Sequence, residues 1–110
     1  MLVVNRYRLD PGEVEAFWPQ AEVALAALAE RPGVVSGRAA RSSDDPGLLA
    51  MVTEWESVGS YRRALSHPHV KMTAVPLMYR CVDEPGAYEV ALEVVDGSVV
   101  TRPSDLSPDR

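Results

Sequence analysis

Thr53-Glu54-Trp55-Glu56-Ser57, followed by Tyr61, Leu65 and the run Ser66-His67-Pro68-His69-Val70, reads as a strand that ends in an aromatic and passes into a short helix. The strand begins at Leu48 and extends to Glu56. Ser57 can cap the helix, because its hydroxyl accepts a hydrogen bond from a first-turn amide that has no partner inside the helix. Val58, Tyr61 and Leu65 then share one helical face. His67-Pro68 restarts the chain, since a residue before proline is driven out of the helical region. A second short segment, carrying Met72, continues towards Met78. Both histidines of the chain therefore sit at the far end of the strand–helix unit.

Upstream, Leu2 to Leu9 alternates as a first strand, with Val3, Asn5, Tyr7 and Leu9 on one side and Val4, Arg6 and Arg8 on the other. Asp10-Pro11-Gly12-Glu13 reads as a helix start: Asp10 caps, Pro11 suits the first helical position, and Glu13 completes a reciprocal cap. Val14, Phe17, Trp18, Ala21, Leu25 and Leu28 follow at three- and four-residue spacing as one apolar face. Pro19 forfeits the bond to the carbonyl of Glu15 and crowds that turn, so a kink or break is expected there. Arg31-Pro32-Gly33 stops the helix, and Val34 to Arg41 forms the second strand. Ser42 to Gly47 is a turn-rich loop before the third strand. Ala87 to Val95 alternates as a fourth strand. Asp96-Gly97 follows, and a polar tail from about Ser98 is expected to be mobile.

Strand, helix, strand, strand, helix, strand is the order of a ferredoxin-like α+β fold, a four-stranded antiparallel sheet with helices on one face. The reading gives one domain over residues 1–97 and a tail over 98–110. Two-residue parity turns Val3, Asn5, Tyr7, Leu9, Val35, Leu49, Met51, Thr53, Trp55, Tyr88, Val90, Leu92 and Val94 towards the helices. Arg6, Arg8, Arg38, Glu54, Glu89 and Glu93 fall on the opposite face, where their charges can pair between strands.

Composition narrows the function classes. A chain of 110 residues that is 46% hydrophobic has room for one modest core. Eleven basic and sixteen acidic side chains give a net charge of −5, which disfavours phosphate backbones and anionic lipid. Neither nucleic acid nor a membrane is an expected partner. Cys81 is the only cysteine, so no intrachain disulfide can form and no oxidising compartment is implied. The apolar run at Leu2-Val3-Val4 is too short for a signal peptide, and a cytoplasmic location is the expectation. Two histidines flanking one proline do not supply a metal set. No phosphate-cradling glycine loop or dinucleotide fingerprint is present, so neither a flavin nor a nicotinamide is indicated.

The candidate site residues follow from parity and chemistry. Asn5 places an amide beneath the helices on an apolar face, where an unpartnered polar group costs about 1 to 3 kcal/mol. A backbone carbonyl, a trapped water or a substrate oxygen would satisfy it. Trp55 is either a core anchor or a pocket wall, and Tyr61 offers a hydroxyl from the inner face of its helix. Tyr7 and Thr53 share the inward face. Met72 and Met78 can line an adaptable apolar pocket or fill a core gap. His67 and His69 are helix-end residues whose imidazoles would act as a base or a ligand if they face a cavity.

The Glu54-Trp55-Glu56-Ser57 element, with Tyr61, Leu65 and the two histidines downstream, resembles the antibiotic biosynthesis monooxygenase (ABM) family over roughly residues 1 to 95. That resemblance implies subunits paired into a dimeric α+β barrel. It also implies an oxidoreductase that oxygenates a small aromatic phenol, quinol or polyketide-like substrate with dioxygen and no bound redox cofactor. Asn5, His67 and His69 would be catalytic, and Trp55, Tyr61, Tyr7, Thr53 and Met72 substrate-binding. Haem-degrading members of the group offer an alternative, in which a first-strand asparagine, a helical tryptophan and an iron-ligating histidine are needed. Aligned on Trp55, the last two positions fall near Ala64 and Ala74, and only Asn5 matches. A non-catalytic ligand-binding or scaffold protein is the remaining alternative, distinguished by a fully packed interior beside Asn5.

Overall fold

The computed structural model describes residues 1–82, 84 and 86–104. It runs β1 (Leu2–Arg8), α1 (Pro11–Ala29), β2 (Val34–Arg41), β3 (Leu48–Trp55), α2 (Val58–Ser66), α3 (Pro68–Thr73), α4 (Val75–Met78), β4 (Ala87–Tyr88), β5 (Leu92–Val95) and β6 (Ser98–Thr101). The first four strands pair antiparallel in the order β2-β3-β1-β4. This is the ferredoxin-like arrangement expected from the element order, with the helices covering one face of the sheet.

β3 shows why the middle of the sheet obeys simple alternation. Leu49, Met51, Thr53 and Trp55 are all buried, while the residues between them are half-exposed. Its neighbour β1 adds Val3 and Tyr7 to the same layer. α1 closes that layer with Val14, Phe17, Ala21, Ala24, Ala27 and Leu28. Trp18 and Leu25 pack partly buried at its margin. The reciprocal cap forms, with the amide of Asp10 donating to Oε1 of Glu13 at 2.9 Å.

Several sequence expectations are corrected here. Of the kink or break expected at Pro19, no break occurs, and α1 continues through it. A proline inside a helix costs about 3 kcal/mol, but the helix is anchored to the sheet on both sides of it, by Val14 and Phe17 before and by Ala21 to Leu28 after. Packing of an amphipathic face outweighs local propensity in such a case. Val35 is 56% exposed rather than inward, because β2 carries a bulge between Val34 and Ser36. The extra residue sets Val34 opposite Trp55 and turns Val35 out, while Gly37 and Ala39 keep the inward parity and lie opposite Thr53 and Met51.

The fourth strand leaves the sheet early. Only Ala87 and Tyr88 pair with β1, opposite Val3 and Leu2. Leu92 to Val95 instead pairs with Ser98 to Thr101 as a separate hairpin. Its Asp96-Gly97 turn has φ of 50° and 80°. Two left-handed residues in sequence match the twist of a two-residue hairpin, for which Asp-Gly is a strong local signal. Consequently Leu92 and Val94 are 66% and 72% exposed, and Tyr88 is also exposed. The expected boundary at 97 thus falls inside a hairpin, whose second strand opens the supposed tail. The tail's last six residues, 105–110, lie outside the described residues.

Among the described residues, Arg6, Arg8 and Glu93 of the open face form ion pairs. Arg6 pairs with Glu84, Arg8 with Asp45 at 2.9 Å, and Arg102 with Glu93 at 2.7 Å. All three pairs are solvent-accessible, so water and salt screen them and they add little to stability. Among the described residues, no helix is long and apolar enough to cross a membrane.

Candidate functional site

A cavity of about 420 Å³ opens beside Asn5, between β1 and the segment running from α2 to Cys81. Its lining is Asn5, Tyr61, Leu65, Lys71, Val75, Met78, Tyr79 and Cys81. Asn5 lies opposite Met51 in the strand register, between the buried Val3 and Tyr7 on the helix side of the sheet. Its Nδ2 contacts Sγ of Cys81 at 3.8 Å. Sulfur is a weak acceptor, so this contact leaves the amide available to a better one.

The opposite wall is held by close backbone approach. The amide of Val4 donates to the carbonyl of Gly86 at 2.6 Å, and the amide of Val82 donates to the carbonyl of Arg6 at 2.6 Å. A Cβ on Gly86 would stand 2.7 Å from the Val4 carbonyl oxygen, so only glycine permits that approach. This return of the chain against β1 carries Cys81 to Asn5.

α2 supplies Tyr61 and Leu65 from one helical face. Its start is fixed by Ser57 and Ser60: Oγ of Ser57 accepts from the Ser60 amide at 3.0 Å, and the Ser57 amide donates to Oγ of Ser60 at 3.2 Å. The Tyr61 ring packs on Trp55, with centroids 5.6 Å apart. Burial pushes the Tyr61 hydroxyl pKa up, and the neighbouring Tyr79 and Cys81 groups push in the same direction. Tyr61 is therefore a proton-bearing donor at neutral pH. Tyr7 is likewise raised, mainly by burial, with Cys81 adding and Arg80 opposing.

The structure separates the residues that the sequence groups together. Asn5 and Tyr61 line the cavity. Trp55 does not; it is 1% exposed, its Nε1 donates to Oγ1 of Thr53 at 2.9 Å, and it supports Tyr61 from behind. Thr53 is buried as the acceptor of that bond and faces the groove between α1 and β2 instead. The Tyr7 hydroxyl donates to the carbonyl of Leu77 at 3.0 Å, and its ring lies 4.9 Å from that of Phe17. These three side chains are committed to the core.

Neither histidine reaches the cavity. His67 sits in an extended conformation before Pro68, and its Nδ1 accepts from the His69 amide at 3.2 Å as the cap of α3. His69 is exposed. The turn forced by Pro68 gives the inward positions of the following segment to Val70 and Ala74, both fully buried. Met72, about half a helical turn away from each, is 79% exposed. His67, His69 and Met72 are thus removed from the cavity by helical phase.

Haem does not fit these residues. The positions that the resemblance gives to the helical tryptophan and the iron ligand fall near Ala64 and Ala74, which are buried, and no imidazole lines the cavity. Among the described residues no group of three or more His, Cys, Asp or Glu side chains is arranged to hold a metal ion.

Sequence reasoning missed Lys71, Tyr79 and Cys81 as cavity residues, and with them Val75. A signal existed: Lys71, Val75 and Met78 are spaced by four and three residues, one continuous helical face. The break between α3 and α4 at Ala74 leaves that face intact.

Comparison with known proteins supplies the remaining context. Residues 1–74 match the family described as "Antibiotic biosynthesis monooxygenase". No curated protein matches the chain in sequence. Among solved structures, a conserved protein from Methanosarcina mazei Go1 is 22% identical with a TM-score of 0.64, over 78% of this chain and 84% of that one. A Deinococcus radiodurans protein bearing the antibiotic biosynthesis monooxygenase name has a TM-score of 0.68 at 15% identity, over 87% of this chain and 97% of that one. Rv0793 from Mycobacterium tuberculosis has a TM-score of 0.62 at 16% identity, over 96% and 97%. At these identities the structural likeness establishes the fold alone.

Proposed function

The chain belongs to the antibiotic biosynthesis monooxygenase family, and from that premise we propose that it oxygenates a small aromatic phenol or quinol, polyketide-like in its chemistry, with dioxygen. The observation that carries this reading is the cavity beside Asn5. Its 420 Å³ suit a compact aromatic molecule, and a few hydrogen-bond donors converge on an otherwise apolar lining of Leu65, Val75 and Met78.

In the proposed reaction the phenol binds as its anion, having released its proton to solvent at the cavity mouth. The Nδ2 of Asn5 donates to the substrate oxygen and holds the charge, an interaction that is strong where water is excluded. For an anthrone-like phenol, whose keto form carries a methylene para to that oxygen, the electron-rich ring passes one electron to dioxygen, and recombination forms a carbon–peroxide bond at that carbon. The O–O bond then breaks as the same carbon loses its remaining proton. One oxygen atom stays as a carbonyl and the other leaves as water. The methylene gives up four electrons and dioxygen accepts four, so the step needs no external reductant. Tyr61, kept protonated by burial, donates to the departing oxygen.

The reading extends to a homodimer, in which a second copy covers the open sheet face where Leu2, Val4 and Val52 are half-exposed. Sedimentation of the purified chain at twice the monomer mass is the expected outcome.

The test is oxygen uptake by the purified protein with a panel of quinols and anthrone-like phenols. Turnover of at least one member is expected. Asn5→Ala should lower kcat by about tenfold to a hundredfold while leaving the thermal midpoint nearly unchanged. Equal rates for wild type and Asn5→Ala would remove Asn5 from the mechanism, and no uptake across the panel would refute the activity.

A further inference from the structure

The polar lining of the Asn5 cavity is rich in donors and holds a cation. Asn5 presents Nδ2, Tyr61 and Tyr79 present phenol hydroxyls, Cys81 presents a thiol, and Lys71 presents an ammonium. No carboxylate lines the cavity among the described residues. Every one of these groups can donate a hydrogen bond, and one of them carries a full positive charge. Leu65, Val75 and Met78 provide the apolar floor against which the donors are set.

Lys71 is exposed, on the last turn of α3, at the rim of this cavity. No salt bridge to it occurs among the described residues; the basic side chains that do pair are Arg6, Arg8 and Arg102. The other nearby cation, Arg80, points elsewhere, its Nη1 donating to Oε1 of Gln20 across the groove beside α1. A positive charge at the mouth of a donor-lined apolar cavity, in a chain of net charge −5, makes this a place where an anion is favoured.

We infer that the cavity selects aromatic molecules bearing a fixed anionic group, a carboxylate above all, with Lys71 as the residue that determines this specificity. The ring lies against Leu65, Val75 and Met78, and the anionic group sits at the rim against the Lys71 ammonium and the Tyr79 hydroxyl. Asn5 and Tyr61, deeper in the cavity, are left for the reacting oxygen. The inference rests on the proposed reading only in taking this cavity as the substrate site. A carboxylate remote from the reacting phenol therefore defines the substrate class more narrowly than the word phenol does.

Calorimetric titration of the full chain with 2-naphthoate and with 2-naphthamide, matched in ring and size, tests the charge selection without turnover. The acid is expected to bind about fivefold more tightly than the amide, the scale of an exposed ion pair reinforced by hydrogen bonds. Raising the salt concentration should narrow the gap. Lys71→Met should erase it and Lys71→Arg should keep it, and an exposed side chain makes both variants safe for folding. Equal binding of the two ligands, binding of neither, or an undiminished preference in Lys71→Met would each overturn the inference. The oxygen-uptake panel keeps the two readings apart. Turnover that ignores both the ligand carboxylate and Lys71→Met defeats the charge selection alone, whereas Lys71-dependent binding without any turnover defeats the oxygenase reading alone.

Discussion

Thr53→Val should destabilise the protein far more than its loss of a single oxygen atom suggests, because that oxygen is the hydrogen-bond acceptor for the Trp55 indole. The bond is 2.9 Å long, and both side chains are almost wholly buried. Valine is nearly isosteric with threonine, so no cavity is created, but the indole N–H is left in the core without a partner. That omission costs about 1 to 3 kcal/mol. For a domain of this size each kcal/mol lowers the thermal midpoint by about 4 to 8 °C, so a fall of about 4 to 24 °C is expected. Trp55→Phe removes the donor and some ring volume, at a cost of about 1 to 3 kcal/mol. Once the donor is gone, Thr53→Val has little left to disrupt. The double variant should therefore be more stable than the sum of the single losses predicts, by about 1 to 2 kcal/mol. Urea denaturation of the four proteins in a double-mutant cycle reads this directly. Losses that add to within about 0.5 kcal/mol would refute the coupling, and with it the placement of Trp55 as a core residue satisfied by Thr53.

Pro19→Ala should raise stability by about 1 to 3 kcal/mol in thermal unfolding, since α1 is already continuous there and alanine restores the missing donor without strain. Gly33→Ala should cost about 3 kcal/mol or more by the same measurement, because its φ of +91° is left-handed and a Cβ would stand 2.4 Å from that of Ser60. Alkaline pH should unfold the protein by a definite route. The Tyr7 and Tyr61 hydroxyls have raised pKa values in the folded state, from 10.0 when free. Below about pH 10 both states keep the protons and the stability is fully present; above it the unfolded chain loses them first, so stability falls with rising pH until the folded groups also ionise. Phenolate absorbance should therefore include a late component that appears together with loss of tertiary circular dichroism, and Tyr61→Phe should diminish that component.

What the sequence determined by itself was the information carried by short-range periodicity. The two-residue alternation of β1 and β3 turned Val3, Asn5, Tyr7, Leu49, Met51, Thr53 and Trp55 to one side, and strand parity holds wherever no residue is inserted. The Ser57 cap, the Asp10–Glu13 cap and the order of elements were legible for the same reason, since each depends on neighbours within a few positions. The inward aim of Asn5 and Tyr61 belongs to this class.

Tertiary structure decided everything that required two distant segments to compete. The bulge in β2 turned Val35 outward, packing on both flanks carried α1 through Pro19, and the Asp96-Gly97 hairpin drew Leu92 to Val95 away from the sheet. It also divided the inward-facing polar groups: Thr53 satisfied Trp55, the Leu77 carbonyl satisfied Tyr7, and Asn5 was left with a sulfur. Lys71, Tyr79 and Cys81 reached Asn5 only because the chain after α4 returns along β1, held by bonds from Val4 to Gly86 and from Val82 to Arg6. A side chain's face follows from its own strand or helix, but whether it meets a partner or a void depends on which remote backbone arrives opposite it.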